Sequence, residues 1–236
     1  MTNDQRIEEL AQSIYLARYG QENDVTDAEL TAFLDRTIEW VNQLTPEIEK
    51  KADWNFVREN DAVLGTVPNG TTISYELPSD VRKLVVSPFR DVTIRQDSTV
   101  VSSFDLVNPN QTNDPSDPGG VRDRATVIQR NLIFSRSLTD AEVGGSVVAD
   151  TIAFIPKLTH DDVSLLDILD EYPDIRQVYV LGVIKNQILP DTVKGGLTPS
   201  YSVKFDRLVA DCIVENNASA DAYDQDRESF GYVGYA

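Results

Sequence analysis

A chain of 236 residues, 41% apolar and 25% charged, is long enough to bury a core as one large domain or two small ones, and its composition is that of folded protein. Aspartate plus glutamate number 39 against 21 lysine plus arginine, a net charge of −18, which opposes nucleic-acid wrapping because little basic surface replaces counterions on phosphates. No run approaches the roughly 20 apolar residues of a membrane span, the N-terminal MTNDQRIEEL lacks signal-peptide character, and the single cysteine, Cys212, excludes an intramolecular disulfide.

The acidity is uneven in kind: 26 aspartates and 13 glutamates face only 7 lysines and 14 arginines. An Asp-rich, Lys-poor surface suits a salt-rich cytoplasm. It also suits a surface that must repel an anionic polymer. The salt reading is slightly preferred, and the two are compatible.

The first third reads as helix. Ile7, Leu10 and Ile14 recur at helical spacing over 3–19, with Arg18 one turn on, and Gly20 closes the segment. Thr26-Asp27-Ala28-Glu29 is a capping box, followed by the stripe Leu30, Phe33, Leu34, Ile38, Val41 and Leu44. Thr45-Pro46 kinks this helix or starts another, and Ile48 carries the pattern toward Trp54. Together these predict a helical hairpin.

From 61 to 156 the period changes to two. Ala62–Val67 and Thr71–Leu77 flank Pro68-Asn69-Gly70, which predicts a hairpin. Short strands are expected at Lys83–Val86, Val92–Arg95 and Thr99–Phe104. Ala125–Gln129 and Leu132–Ser135 pair across Arg130-Asn131, and Ser146–Ile155 is a long β-branched strand. Between them, 107–123 is Asn/Pro/Asp/Gly-rich without an apolar period, a long exposed loop. Such loops contact a partner or merely decorate a surface.

Helix returns at Ser164–Leu169, then from Tyr172-Pro173-Asp174 through Val178, Tyr179, Leu181 and Ile184 until Pro190. Thr198-Pro199 opens the last helix, with Phe205, Leu208, Val209 and Cys212 on one face. After about Ala218 the chain turns polar. The expected fold class is therefore α+β: an α-helical bundle, made of an N-terminal hairpin and C-terminal helices, with an inserted antiparallel β domain. The expected boundaries are 1–60 for the hairpin, 61–158 for the β region, 159–220 for the closing helices and 221–236 for a C-terminal extension.

Little in the chain points to chemistry. His160 is the only histidine, and a solvated residue before a helix is its plain reading against a catalytic one. One His and one Cys cannot supply a closed zinc set. Cys212, on an apolar helix face, reads as a small buried hydrophobe. Asp161, Asp162, Asp167, Asp170 and Glu171, or Asp114 and Asp117 in the loop, could hold a hard cation. With 26 aspartates such clusters arise by composition, and solvated surface is the plainer account. Phosphate-binding glycine spacings are missing. Arg122, Arg124, Arg130 and Arg136 form a basic run without interleaved aromatics. No cofactor, no metal and no catalytic residue is expected.

The order of pieces carries a resemblance. A helical hairpin ending in Ala52-Asp53-Trp54-Asn55-Phe56 precedes a strand bearing Tyr75-Glu76-Leu77-Pro78, with Leu84 a few residues on. This resembles the head-to-tail adaptor (head-completion) proteins of tailed viruses, best over residues 26–90. The resemblance marks Trp54, Tyr75, Leu77, Pro78 and Leu84 as family signature. It implies a virion protein of the neck, in a ring usually of about twelve copies, bound to the portal on one side and to a neck or tail-completion protein on the other. Genomic DNA would pass through the channel without sequence-specific contact, and no membrane is involved. It also implies a C-terminal extension gripping the portal, for which Phe230, Tyr232, Val233 and Tyr235 are the candidates, by strand addition or by ring packing. A frayed terminus is the plain alternative for that tail. The other functional readings are a stopper-like or tail-completion protein, expected to be mainly β-barrel, and a hydrolase using paired carboxylates.

The stretch Ile73–Leu84, ISYELPSDVRKL, poses one local question. Pro78 lacks an amide proton and should end the strand at Leu77. Ser79 and Asp80 then read as a chain reversal with Val81 and Leu84 returning to the core, rather than as a catalytic lip.

Overall fold

The computed structural model describes residues 2–19, 27–85, 91–107, 123–188 and 198–230. The chain divides into two compact units, one of residues 1–56 with 155–236, the other of residues 57–154.

The second unit is a sheet. Its strands are β1 (Arg58–Thr66), β2 (Ser74–Glu76), β3 (Val81–Leu84), β4 (Asp91–Gln96), β5 (Thr99–Leu106), β6 (Arg124–Ile128), β7 (Asn131–Phe134) and β8 (Ser146–Ala153). They run in the order β1-β8-β4-β5-β6-β7-β2, with β3 also on β8. Alternate residues of successive strands, Val92 and Ile94, Phe104 and Leu106, Leu132 and Phe134, Val147 and Ala149, meet in one core with Leu64, Val81 and Leu84. A period of two sends these side chains to one face. When the same face of every strand contributes to one cluster, the sheet has curled around it.

The expected class, a helical bundle with an inserted antiparallel β domain, is thereby corrected. The protein is mixed α/β, dominated by a curled eight-stranded sheet resembling half a barrel, with five helices among the described residues. Nor is the sheet wholly antiparallel: β5 and β6 pair in parallel, Asp105 opposite Arg124 and Leu106 opposite Ala125. Hydrophobic period reveals strands but not their partners, and this is why the sequence under-reads the sheet. Parallel neighbours need a crossover of about a dozen residues or more, which gives the 107–123 connection a topological purpose; 108–122 lie outside the described residues.

The expected β1–β2 hairpin is also absent. β1 pairs with β8, and β2 pairs with β7. Asn69 Oδ1 instead accepts from the Thr71 amide (3.0 Å) and from the hydroxyls of Thr71 (2.9 Å) and Thr72 (3.2 Å). This side-chain turn diverts the chain from a two-residue hairpin. True hairpins form at Asp97-Ser98 and Gln129-Arg130, whose positive φ values (46° and 69°, 48° and 65°) suit the primed turns that match strand twist.

The LPSDV turn is built as expected in outline. Leu77 is buried, Ser79 and Asp80 are exposed, and the Val81 amide donates to the Pro78 carbonyl at 3.1 Å. Arg130 adds what the sequence did not suggest. Its guanidinium donates to the carbonyls of Leu77 (3.2 Å), Pro78 (2.6 Å) and Val81 (3.0 Å), pinning the reversal from the β6–β7 turn. Tyr75 crosses from β2 to β1, its hydroxyl donating to the Leu64 carbonyl at 3.0 Å. The adjoining Gly65, at φ 153°, leaves the space that the Tyr75 ring fills. The two ends of the strand order are thus tied by a side chain.

In the first unit, α1 (Asn3–Tyr19), α2 (Asp27–Glu49), α3 (Ser164–Glu171) and α5 (Thr198–Phe230) each contact α4 (Pro173–Val183). Pro173 sits in the first turn of α4, where no amide is needed. Every residue from Val178 to Val183 is buried, as a helix surrounded on all sides requires. Gly182 permits that crowding: a Cβ there would lie 2.5 Å from Leu44 Cδ2 and 2.9 Å from Phe205 Cε2. The one buried polar group of α4, the Tyr179 hydroxyl, lies 3.1 Å from Thr45 Oγ1. Helix α2 continues through Pro46 to Glu49. The capping box at Thr26 lies outside the described residues, whereas the same four residues at 139–142 form one: the Glu142 carboxylate accepts the Thr139 amide and hydroxyl. Helix α5 runs to Phe230, well past Ala218 where the polar sequence suggested an end.

Candidate functional site

The five residues that carry the resemblance, Trp54, Tyr75, Leu77, Pro78 and Leu84, lie within the scaffolds of the two units. Trp54 is 1% exposed and donates its indole N–H to the Ile48 carbonyl at 2.8 Å, closing the end of α2. Tyr75 ties β2 to β1, Leu77 and Leu84 are buried, and Pro78 offers its carbonyl to Arg130. Of the tail candidates, Phe230 is the last residue of α5, and Tyr232, Val233 and Tyr235 lie outside the described residues.

The acidic residues singled out from the sequence are mostly engaged. Asp167 and Asp170 take Arg6 at 2.8 Å each, and Asp170 also takes Arg176 at 2.7 Å. Asp162 accepts the Ser164 amide (3.0 Å) and hydroxyl (2.6 Å), which holds its pKa below the ordinary carboxylate value. Asp114 and Asp117 lie outside the described residues. His160 is exposed, with Nδ1 2.8 Å from Asp4 Oδ1. Among the described residues no group of three His, Cys, Asp or Glu side chains could hold a metal ion. No described helix is long and apolar enough to cross a membrane.

One cavity in the helical unit brings together residues that sequence inspection left apart. It has a volume of about 260 Å³ and is lined by Trp54, Asn55 and Phe56, by Glu171 to Ile175, and by Cys212, Glu215 and Asn216. Asn216 of α5 builds one wall. Its Oδ1 accepts the Asn55 amide (2.7 Å), its Nδ2 donates to the Asp53 carbonyl (2.9 Å), and its carbonyl accepts Asn55 Nδ2 (2.6 Å). The segment so clamped stacks Phe56 on Trp54, centroids 5.6 Å apart and planes 21° from parallel. Tyr172, between α3 and α4, continues the row at 5.6 Å from Phe56, tilted 45°. Trp54 backs this wall while Phe56 and Tyr172 carry its accessible faces.

The cavity is acidic. Burial is the chief cause that pushes the Cys212 thiol up to about 11, and the carboxylates of Asp174, Glu215 and Asp211 add to it. Burial also raises the Tyr172 phenol, with Glu171 contributing. A thiol held neutral at physiological pH is a poor nucleophile. What the arrangement can do is accept a cation: aromatic faces carry a negative quadrupole, and three carboxylates stand at its rim.

Sequence reasoning missed Arg130, Asn216 and Tyr172 as organising residues. Each acts on a segment far away in the chain, and no local period signals that. Compared with protein-family models and with curated proteins, the chain matches none of either.

Proposed function

We propose that the chain is a structural subunit of the neck of a tailed virus: an adaptor ring, usually of about twelve copies, joining the portal to a neck or tail-completion protein and forming part of the DNA channel. The observation that carries this reading is where its resemblance lies. Trp54, Tyr75, Leu77, Pro78 and Leu84 are all spent on holding backbone and core in place, as a scaffold signature should be. The charge of −18 supports it too, since like charge in a narrow channel keeps packaged DNA from sticking. On this reading the chain is not an enzyme, and it works in the virion after assembly in the host cytoplasm, a salt-rich one if the acidity is also an adaptation to the host.

The test is reconstitution with the portal protein encoded in the same genome, followed by electron microscopy of the complex. A ring of this chain seated on the portal is expected. A chain that stays apart from portal rings, and is missing from virions, overturns the reading. Deleting 222–236 removes the last turns of α5 with the tail, and is expected to abolish portal binding while the circular dichroism of the remainder persists. Retained binding removes Phe230, Tyr232, Val233 and Tyr235 from the docking role.

A second reading, a stopper-like or tail-completion protein, is favoured by the curled sheet, because a mainly β protein is what that class leads one to expect. The same images separate the two, for an adaptor touches the portal and a stopper sits below the adaptor.

A further inference from the structure

We propose that the cavity walled by Phe56 and Tyr172 seats an arginine side chain presented by a partner protein of different sequence. The inference stands on the cavity's own chemistry and does not depend on the neck reading.

Three observations converge on this occupant. First, the wall is aromatic and held open by hydrogen bonds: Asn216 fixes the segment 53–55, and Trp54 is locked behind Phe56. A planar guanidinium stacks on such faces, which a compact ammonium does less well. Second, the rim carries Glu171, Asp174 and Glu215, and among the described residues no lysine or arginine is paired with any of them. This differs from Asp167 and Asp170 on α3, which Arg6 and Arg176 neutralise. The rim is therefore left with uncompensated negative charge beside an apolar surface, and Cys212 registers that field. Third, the volume of about 260 Å³ falls below the roughly 300 Å³ at which small-molecule pockets begin. It suits one side chain better than a cofactor. A partner of different sequence fits this acidic rim better than a second copy, whose own net charge of −18 adds repulsion at the rim that a less acidic partner does not.

The test is a titration of the full chain with the end-blocked peptide Ala-Ala-Arg-Ala-Ala, followed by the indole N–H resonance of Trp54 and the side-chain amide of Asn216. Saturable shifts at both are expected in the millimolar range for so short a probe. The citrulline peptide, equal in shape and uncharged, is expected to bind about tenfold more weakly. Asp174→Asn with Glu215→Gln, both at exposed positions that leave the core untouched, is expected to weaken the arginine peptide by a similar factor. Tyr172→Leu removes one stacking face and should lower the affinity for the arginine peptide. Equal binding of arginine and citrulline peptides, or shifts confined to other residues, overturns the proposal. So does methylguanidinium binding as tightly as the peptide, which would make the cavity a site for small free cations. Self-association that the peptide competes away would identify a second copy as the occupant and overturn it equally.

Discussion

Each unit is organised around one largely buried element, α4 from Val178 to Val183 in the helical unit and β8 in the sheet, yet their interiors differ in chemistry. From Val178 to Val183 the only polar side chain of α4 is Tyr179, answered by Thr45. Strand β8 buries Asp150 and Thr151 among its apolar residues. The cause is where each backbone finds its hydrogen bonds. A helix satisfies its own amides, so its surroundings can be purely apolar. A strand depends on its neighbours. Between Glu59 and Ala62 β1 bulges out of register, and Asp61 there takes φ 54°. The Asp61 amide leaves the ladder and donates to Asp150 Oδ1 at 2.8 Å. A buried acid in a sheet can thus mark the point where a ladder breaks.

The contrast can be broken from either side. The largest effect is expected at Gly182→Leu, which drives a side chain into Leu44 and Phe205 where α4 is most crowded. A loss of about 3 kcal/mol or more is expected in urea unfolding; a loss below 1 kcal/mol would show that the helices yield easily. Next is Asp150→Ala, expected to cost about 2 kcal/mol by stranding the Asp61 amide. Asp150→Asn, which keeps an acceptor oxygen, should recover most of that. If the two variants are equally destabilised, charge rather than ladder repair explains Asp150.

A third test uses pH. The Glu142 side chain is 1% exposed and takes two nitrogens of Arg136 at 3.0 and 2.8 Å, and Arg136 also takes Asp123 at 2.5 Å. The Arg136 guanidinium is the chief cause that holds Glu142 at about 2, against an ordinary value of 4.5. Because the folded value is depressed, this stabilisation is fully present above about pH 4.5 and is lost as pH falls through about 2. Glu142→Gln should therefore be less stable than the parent at neutral pH, with the gap closing across that window in unfolding curves. The smallest effect belongs to Tyr75→Phe. Losing the bond to the Leu64 carbonyl while keeping the ring should cost about 1 kcal/mol, with faster amide exchange confined to β1 and β2.

How much of this was readable beforehand depends on range along the chain. Ile7, Leu10 and Ile14 and the strand at 146–155 were legible because the signal is periodic and local. So was the reversal at Pro78, since a missing amide acts where it stands. The sheet's pairings were not: Asn69 looked like the apex of a hairpin because the turn residues are right, but its side chain makes a different turn. The fold class failed for the same reason, since strand count and strand partners are separate facts and only the first has a local signature. The end of α5 was misread because a polar helix lacks an apolar stripe. The cavity draws on positions 54, 172 and 216, and nothing in the spacing of those residues announces that they meet.

The place of β8 in the sheet has a consequence for how the protein is made. It is the last strand among the described residues, yet it is the partner of β1, β3 and β4. During synthesis β1 and β3 leave the ribosome with no strand to pair with until residue 153 follows, and Arg58 waits for Ile152. Pairings this distant in sequence form slowly, and exposed strand edges meanwhile invite association with other chains. The two bulges in β1 interrupt its ladder and make it a poor template for such association. They serve the unfinished chain as well as the finished sheet.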